Sequence, residues 1–266
     1  LYITAIELND SPRPPKSLKF PQPLKDKVLF NHRKDNEHDT KEFVLGSLRP
    51  DMSHNFNGQF DLVIGNPPWS RLAGKENKAA NEAHNAVFTA ITRQALTDRG
   101  LADVARNYCN PDNNPDLPFL WAATRWTKQE AIIAMVLPSR LFLKQSAPGI
   151  RAFNAILQGI KITGILNGSN LSDTEVWPGM NQPFMLLFAR NSVPSQNHCF
   201  QFVTPHFEQH LNEKGRIRID YQAAQPVSCA QIKECPWILK TLAIATALDV
   251  DVIAKIKGLK WPTVKT

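Results

Sequence analysis

The 266-residue sequence has no run of about 18 or more apolar residues, so no segment is long enough to cross a bilayer as a helix. No charged n-region followed by an apolar stretch opens the sequence, so a secretory leader is not expected in it. The first residue is Leu1 rather than Met, and the expectation is a cut inside a larger protein. Cysteine is scarce. Cys109, Cys199, Cys229 and Cys235 contain no Cys-x-x-Cys pair and no His at zinc-ligand spacing. They read as reduced thiols of a cytoplasmic protein, and no metal is expected. His206 and His210, four apart, read as surface residues rather than ligands.

With 42% hydrophobic residues, the chain can bury one core and part of a second. The formal net charge of +7 and pI near 9.3 are compatible with a polyanionic partner. The excess is uneven: residues 191–266 carry nine Lys/Arg against six Asp/Glu, whereas residues 51–110 carry six of each. A solvated basic face accounts for this about as well as a phosphate track.

The most informative stretch is Asn66-Pro67-Pro68-Trp69, directly after the apolar run Phe60-Asp61-Leu62-Val63-Ile64-Gly65. Asn supplies a side-chain carbonyl acceptor, and the prolines supply backbone carbonyls without a competing N–H. Trp69 supplies a flat face on which a base can stack. Such a tetrad arises by accident in roughly one chain in a hundred of this length. A diproline turn with the ring packed on its neighbour is the alternative. Placement after a strand favours a site, because open α/β sheets bind ligands beyond the carboxyl ends of their strands.

Along the chain, Leu1–Leu8 reads as the last turns of a helix, ahead of the Pro-rich linker Ser11–Pro15. Val28-Leu29-Phe30 reads as a short strand and His32–Asp39 as an exposed charged loop. After the strand at Phe60–Gly65, helices are expected over Ala79–Ala95, Asp116 to about Lys128, and Ala147–Leu157. A turn cluster fills Asn110–Pro115. Further strands are expected over Ala131–Leu137, Ile160–Leu166 and Gln182–Ala189. The alternation indicates βαβ units and a mainly parallel sheet. The last two strands lack a long helix between them, so that pair can be antiparallel. Beyond Asn191 the pattern loosens, which divides the chain into residues 1–195 and a second region, 196–266.

In this order the segments resemble an amino-methylating DNA methyltransferase that makes N6-methyladenine, of the large restriction–modification and phage-defence type. The resemblance covers about residues 1–195. It rests on Leu1–Leu8, Phe60–Trp69, Asp116-Leu117-Pro118-Phe119-Leu120-Trp121, Ala131–Phe142 and Thr174-Glu175-Val176-Trp177-Pro178-Gly179. It implies a partial class I S-adenosylmethionine-dependent (Rossmann-like) α/β sheet without its first cofactor-binding strands, plus the start of a second, target-recognition region. The family's glycine-rich cofactor loop is not in the sequence; Gly164 and Gly168 do not open an obvious helix. That loop is expected upstream of Leu1, and Ser47 stands where relatives often carry an acidic residue. Without the missing strands, Leu62-Val63-Ile64 is expected to be an apolar edge, and the piece alone to be poorly stable and inactive.

The implied chemistry uses Asn66 Oδ1 and the Pro67 carbonyl as acceptors for the hydrogens of a flipped adenine amine. S-adenosylmethionine is the implied methyl donor. Pro68 shapes the loop, and Trp69 stacks on the base. Trp177 is the candidate opposite wall, with a core Trp beside Pro178 as the equal alternative. Arg71, Lys75 and Lys78 are candidates for DNA phosphates or a plain solvated loop. Arg140 and Lys144 are weaker candidates. The implied partners are double-stranded DNA, the missing N-terminal part of the same protein and a fused or associated restriction subunit. The alternatives are a methyltransferase acting on RNA or a protein glutamine, and a non-catalytic DNA-binding module of a defence complex.

Overall fold

The computed structural model describes residues 6–7, 29–30, 48, 56–71 and 78–259. Ile6–Glu7 (β1) and Leu29–Phe30 (β2) pair in parallel, Ile6 with Leu29 and Glu7 with Phe30. The strand expected near Val28 is therefore present at Leu29–Phe30. The helix expected over Leu1–Leu8 is corrected at Ile6–Glu7, where β-branched Ile6 takes extended backbone and finds a ladder partner. Ser47 and the Pro-rich linker lie outside the described residues.

Phe60–Gly65 (β3) forms because its β-branched and large apolar residues suit a pleated surface. Lys78–Asp98 (α1) places Asn81, His84, Phe88, Thr92, Ala95 and Leu96 on one buried face, spaced three or four apart. Ala102–Asn107 (α2) follows. Asp116–Trp126 (α3) starts with an acidic residue in its first turn, and Trp121 and Leu120 are wholly buried in it. It ends two residues before Lys128, because Thr127 is already extended and opens the long strand Thr127–Pro138 (β4).

Arg140–Leu143 (α4), Ala147–Gly159 (α5), Lys161–Asn167 (β5) and Phe184–Arg190 (β6) come next. Cys199–Val203 (β7), Gln209–Asn212 (α6), Ala224–Ser228 (β8), Cys229–Glu234 (α7), Ile238–Leu242 (α8) and Ala247–Gly258 (α9) complete the chain. Six strands form one mixed sheet in the order β3-β4-β6-β5-β7-β8.

β3 and β4 are parallel, with Leu62 opposite Ile132 and Gly65 opposite Met135. β6 runs against both its neighbours. Asn191 N donates to Ala131 O at 2.8 Å and Ser139 N to Pro183 O at 3.0 Å, so the start of β4 meets the end of β6. Lys161 N to Ser192 O at 2.8 Å and Gly168 N to Phe184 O at 2.9 Å show the same for β5. The antiparallel pair expected from the missing helix is thus present. Among the described residues β3 is an outer strand of this sheet, and Ile64 is 68% exposed.

The chain divides into two compact units. The first comprises residues 1–137, 151–162 and 186–194, and its core includes Phe88, Leu96, Leu120, Trp121, Trp126 and Ile133. The second comprises residues 138–150, 163–185 and 195–266, with Leu171, Phe202, Val227, Ile232 and Leu239 buried. The expected boundary at 195/196 falls between β6 and β7.

Candidate active site

Gly65 closes β3, and the next residues cannot prolong the ladder because Pro67 and Pro68 carry no N–H. The turn is seated by burying Pro67, with Pro68 and Trp69 half-buried. Asn66 is exposed, and no described residue engages its side-chain amide. The residue type best suited to hold a planar amine thus stands exposed at the carboxyl end of a strand.

The back of the turn is pinned. Asn114 Nδ2 donates to Trp69 O at 2.9 Å. Asn114 belongs to the loop between α2 and α3, which is itself hung from α1. In that loop Asn110 N donates to Thr89 Oγ1 at 3.1 Å, and Asn85 Nδ2 donates to Asn110 O at 3.4 Å. Tyr108 OH donates to Asn110 Oδ1 at 3.3 Å, and Arg93 Nε to Tyr108 O at 2.9 Å. Asn110 Nδ2 donates to the carbonyls of Asp112 and Asn114. Tyr108 and Asn110 are buried, and burial pushes the Tyr108 phenol well above its ordinary value. The hydroxyl therefore stays a donor across the physiological range.

The sequence marked Asn110–Pro115 only as a turn. Its density of Asn and Asp, followed by Pro, was the available signal. Nothing local ties it to Trp69.

The cationic candidates make none of the bonds just described. Arg71 is exposed, Lys78 is exposed at the start of α1, and Lys75 lies outside the described residues. Arg140 opens α4 and Lys144 caps it. Trp177 stands in the second unit, half-buried, with its ring edge-on to Phe184 at 4.9 Å and 73°. Its loop is closed by Asp173 N donating to Met180 O at 2.8 Å and Met180 N to Trp177 O at 3.1 Å.

The described residues do not form a cradle for S-adenosylmethionine. Glycines with positive φ occur at 58, 100, 179 and 215, and none lies between a strand end and a helix start. Gly168 has a packing reason instead: any Cβ there would run into the Phe184 ring. No residue is therefore assigned to the methyl donor. Among the described residues no cluster of three His, Cys, Asp or Glu is placed to hold a metal ion, and no helix is long and apolar enough to cross a membrane.

Residues 8–172, more than half of the chain, match the model of the family described as Eco57I restriction-modification methylase. No curated protein matches the chain. Among solved structures, one from a study of the type I R-M system aligns with a TM-score of 0.46 at 12% identity, covering 78% of this chain and 44% of that one. The type I restriction-modification system methyltransferase subunit from Streptococcus thermophilus gives 0.43 at 16% identity, covering 77% and 39%. The type I restriction enzyme EcoKI M protein gives 0.39 at 14%, covering 64% and 31%. The chain thus spans less than half the length of each of these three proteins.

Proposed function

Since the chain belongs to the Eco57I restriction-modification methylase family, we propose that it forms the target-base half of a DNA adenine-N6 methyltransferase. The observation that carries this reading is Asn66: an exposed, unengaged amide at the end of β3, on a turn whose rear is fixed by Asn114.

The adenine amine is a poor nucleophile because its lone pair is delocalised into the ring. Asn66 Oδ1 and the Pro67 carbonyl accept its two hydrogens, which favours a pyramidal nitrogen and localises the lone pair. Both acceptors act most strongly as positive charge grows on nitrogen. Pro68 keeps the turn rigid, and Trp69 stacks on the flipped base, an interaction worth about 1–3 kcal/mol. Arg71 and Lys78 hold nearby phosphates.

S-adenosylmethionine is the methyl donor that this reading implies, and it is held by parts of the protein other than the residues described. Double-stranded DNA is the substrate, residues 196–266 begin the target-recognition region, and a fused or associated restriction subunit completes a cytoplasmic defence system.

The test is transfer of a labelled methyl group by the intact protein, with DNA, RNA and protein acceptors compared. Transfer to adenine in duplex DNA, abolished by Asn66→Ala, supports the reading. Transfer to RNA or to a glutamine side chain, or full activity in the variant, overturns it.

A further inference from the structure

At the end of β3 and β4 opposite the tetrad, the first unit opens into a cleft of about 440 Å³. β3 separates the two places by roughly 17 Å, at about 3.3 Å per residue. Asp98, Arg99, Arg125, Lys128 and Asn191 line the cleft, and Ala95 is its one apolar side chain among the described residues. A lining without aromatic or branched aliphatic walls does not suit an apolar ligand; it selects by charge and hydrogen bonding.

Three lining residues are cations and one is a carboxylate; with Asp61, which binds Lys128, the local excess is three minus two, +1. Two of the cations have partners. Arg125 Nε lies 3.3 Å from Asp98 Oδ2, and Lys128 Nζ lies 2.8 and 2.9 Å from the Asp61 carboxylate oxygens. Arg99 differs. Its Nε donates to Gly159 O at 2.6 Å and its Nη1 to Asn191 Oδ1 at 2.7 Å, both neutral acceptors. Among the described residues no carboxylate pairs with it, and its burial draws the guanidinium below its ordinary pKa. That is the mark of a cation deprived of water without a counter-charge.

The floor of the cleft is satisfied within itself. Carbonyls at the end of α3 would repel an anion, but they are already engaged. Arg125 O accepts from Gly58 N at 2.8 Å and Trp126 O from Gln59 N at 2.9 Å. Thr124 O and Thr127 O accept from Asn191 Nδ2 at 2.8 and 2.9 Å. These bonds fix the Asn191 amide, so its oxygen faces Arg99 and its nitrogen the carbonyls. Arg99 Nη2 is left as the uncommitted donor of the fork.

The geometry points to a second ligand site in this cleft, which takes a phosphate group on the open edge of Arg99 flanked by Arg125 and Lys128. Nη2 carries N–H donors for a phosphate oxygen, and the anion supplies the counter-charge that Arg99 lacks. The group belongs either to a small phosphorylated molecule or to a DNA backbone. The site is independent of the tetrad and of the reaction proposed there.

The test is equilibrium dialysis of the intact protein against radiolabelled inorganic phosphate, at an ionic strength held constant with chloride. Saturable one-site binding is expected. Arg99→Lys, which keeps the charge but loses the Nη2 donor and the bonds that aim it, weakens it about tenfold or more. Lys128→Gln removes an exposed cation without touching Gly159 or Asn191, weakens binding about threefold, and decides the matter if Arg99→Lys does not fold. Asn66→Ala leaves binding unchanged. Absence of saturable binding, wild-type binding in both cleft variants, or loss of binding in Asn66→Ala overturns the site. Adding a short DNA duplex assigns the source: displacement identifies a backbone phosphate, and retention identifies a small phosphorylated molecule.

Discussion

Asn114 Nδ2 reaches back across 45 residues of chain to hold the carbonyl oxygen of Trp69 at 2.9 Å. This bond joins the loop before α3 to the turn after β3, and it makes the tetrad's position depend on a segment with no part in its chemistry. Asn114→Ala removes the donor of a partly buried hydrogen bond, a loss of about 1 kcal/mol. The expected outcome is a small drop in urea midpoint with a larger, roughly tenfold, fall in methyl transfer by the intact protein, because the ring is misplaced. Unchanged transfer would show that Trp69 is held by other means.

Asn66→Ala tests the acceptor itself. Removing an electrostatic partner of the reacting nitrogen lowers the transfer rate by about 100-fold to 1,000-fold. DNA affinity stays within about threefold, since that amide is not among the groups assigned to phosphates. A gel-shift titration beside a labelled-methyl assay separates the two quantities.

Tyr108 predicts an alkaline signature. Its phenol is raised above the ordinary value of 10.0, chiefly by burial, so the folded chain keeps the proton that the unfolded chain releases. The resulting stability is fully present below about pH 10 and falls as pH rises towards the folded value, by up to about 1.4 kcal/mol per pH unit. Tyr108→Phe lacks this dependence. At neutral pH it is less stable by about 1 kcal/mol, through the unmet Asn110 oxygen, and its deficit narrows above about pH 10. Urea melts of both proteins from about pH 8 to 11 give the comparison.

Gly168→Ala places a methyl group against the Phe184 ring, whose edge partner is Trp177. Overpacking of this kind costs about 1–3 kcal/mol. Near-ultraviolet circular dichroism is expected to change with the lowered midpoint, because the displaced ring is in contact with a tryptophan.

What could be read from the sequence follows the range of the interactions. β3 and the helices over 78–98 and 116–126 are declared by local apolar spacing, and so they stood where expected. β4 begins four residues earlier than its apolar run, at Thr127, because a remote group holds that polar start. Asn191 Nδ2 bonds the carbonyls of Thr124, Thr127 and Lys128. Ile6–Glu7 was misread as helix because its partner strand lies more than twenty residues away. Within the candidate site, Asn66–Trp69 was legible from residue chemistry alone. The Tyr108–Asn110–Asn114 support was not, since each of its bonds to α1 or to Trp69 spans a loop that no short window sees.

The position of β6 has a consequence for synthesis. β6 is made after β5 but lies between β4 and β5, running against both. A nascent chain that has emerged only as far as the end of β5 carries two parallel strands with a strand-wide gap between them. Direct pairing of β4 with β5 would then be a trap, undone only when Phe184–Arg190 arrives. Splitting the gene between Asn167 and Phe184 would therefore release a first piece prone to this wrong pairing, whereas a cut after Arg190 would let the central strand travel with both of its neighbours.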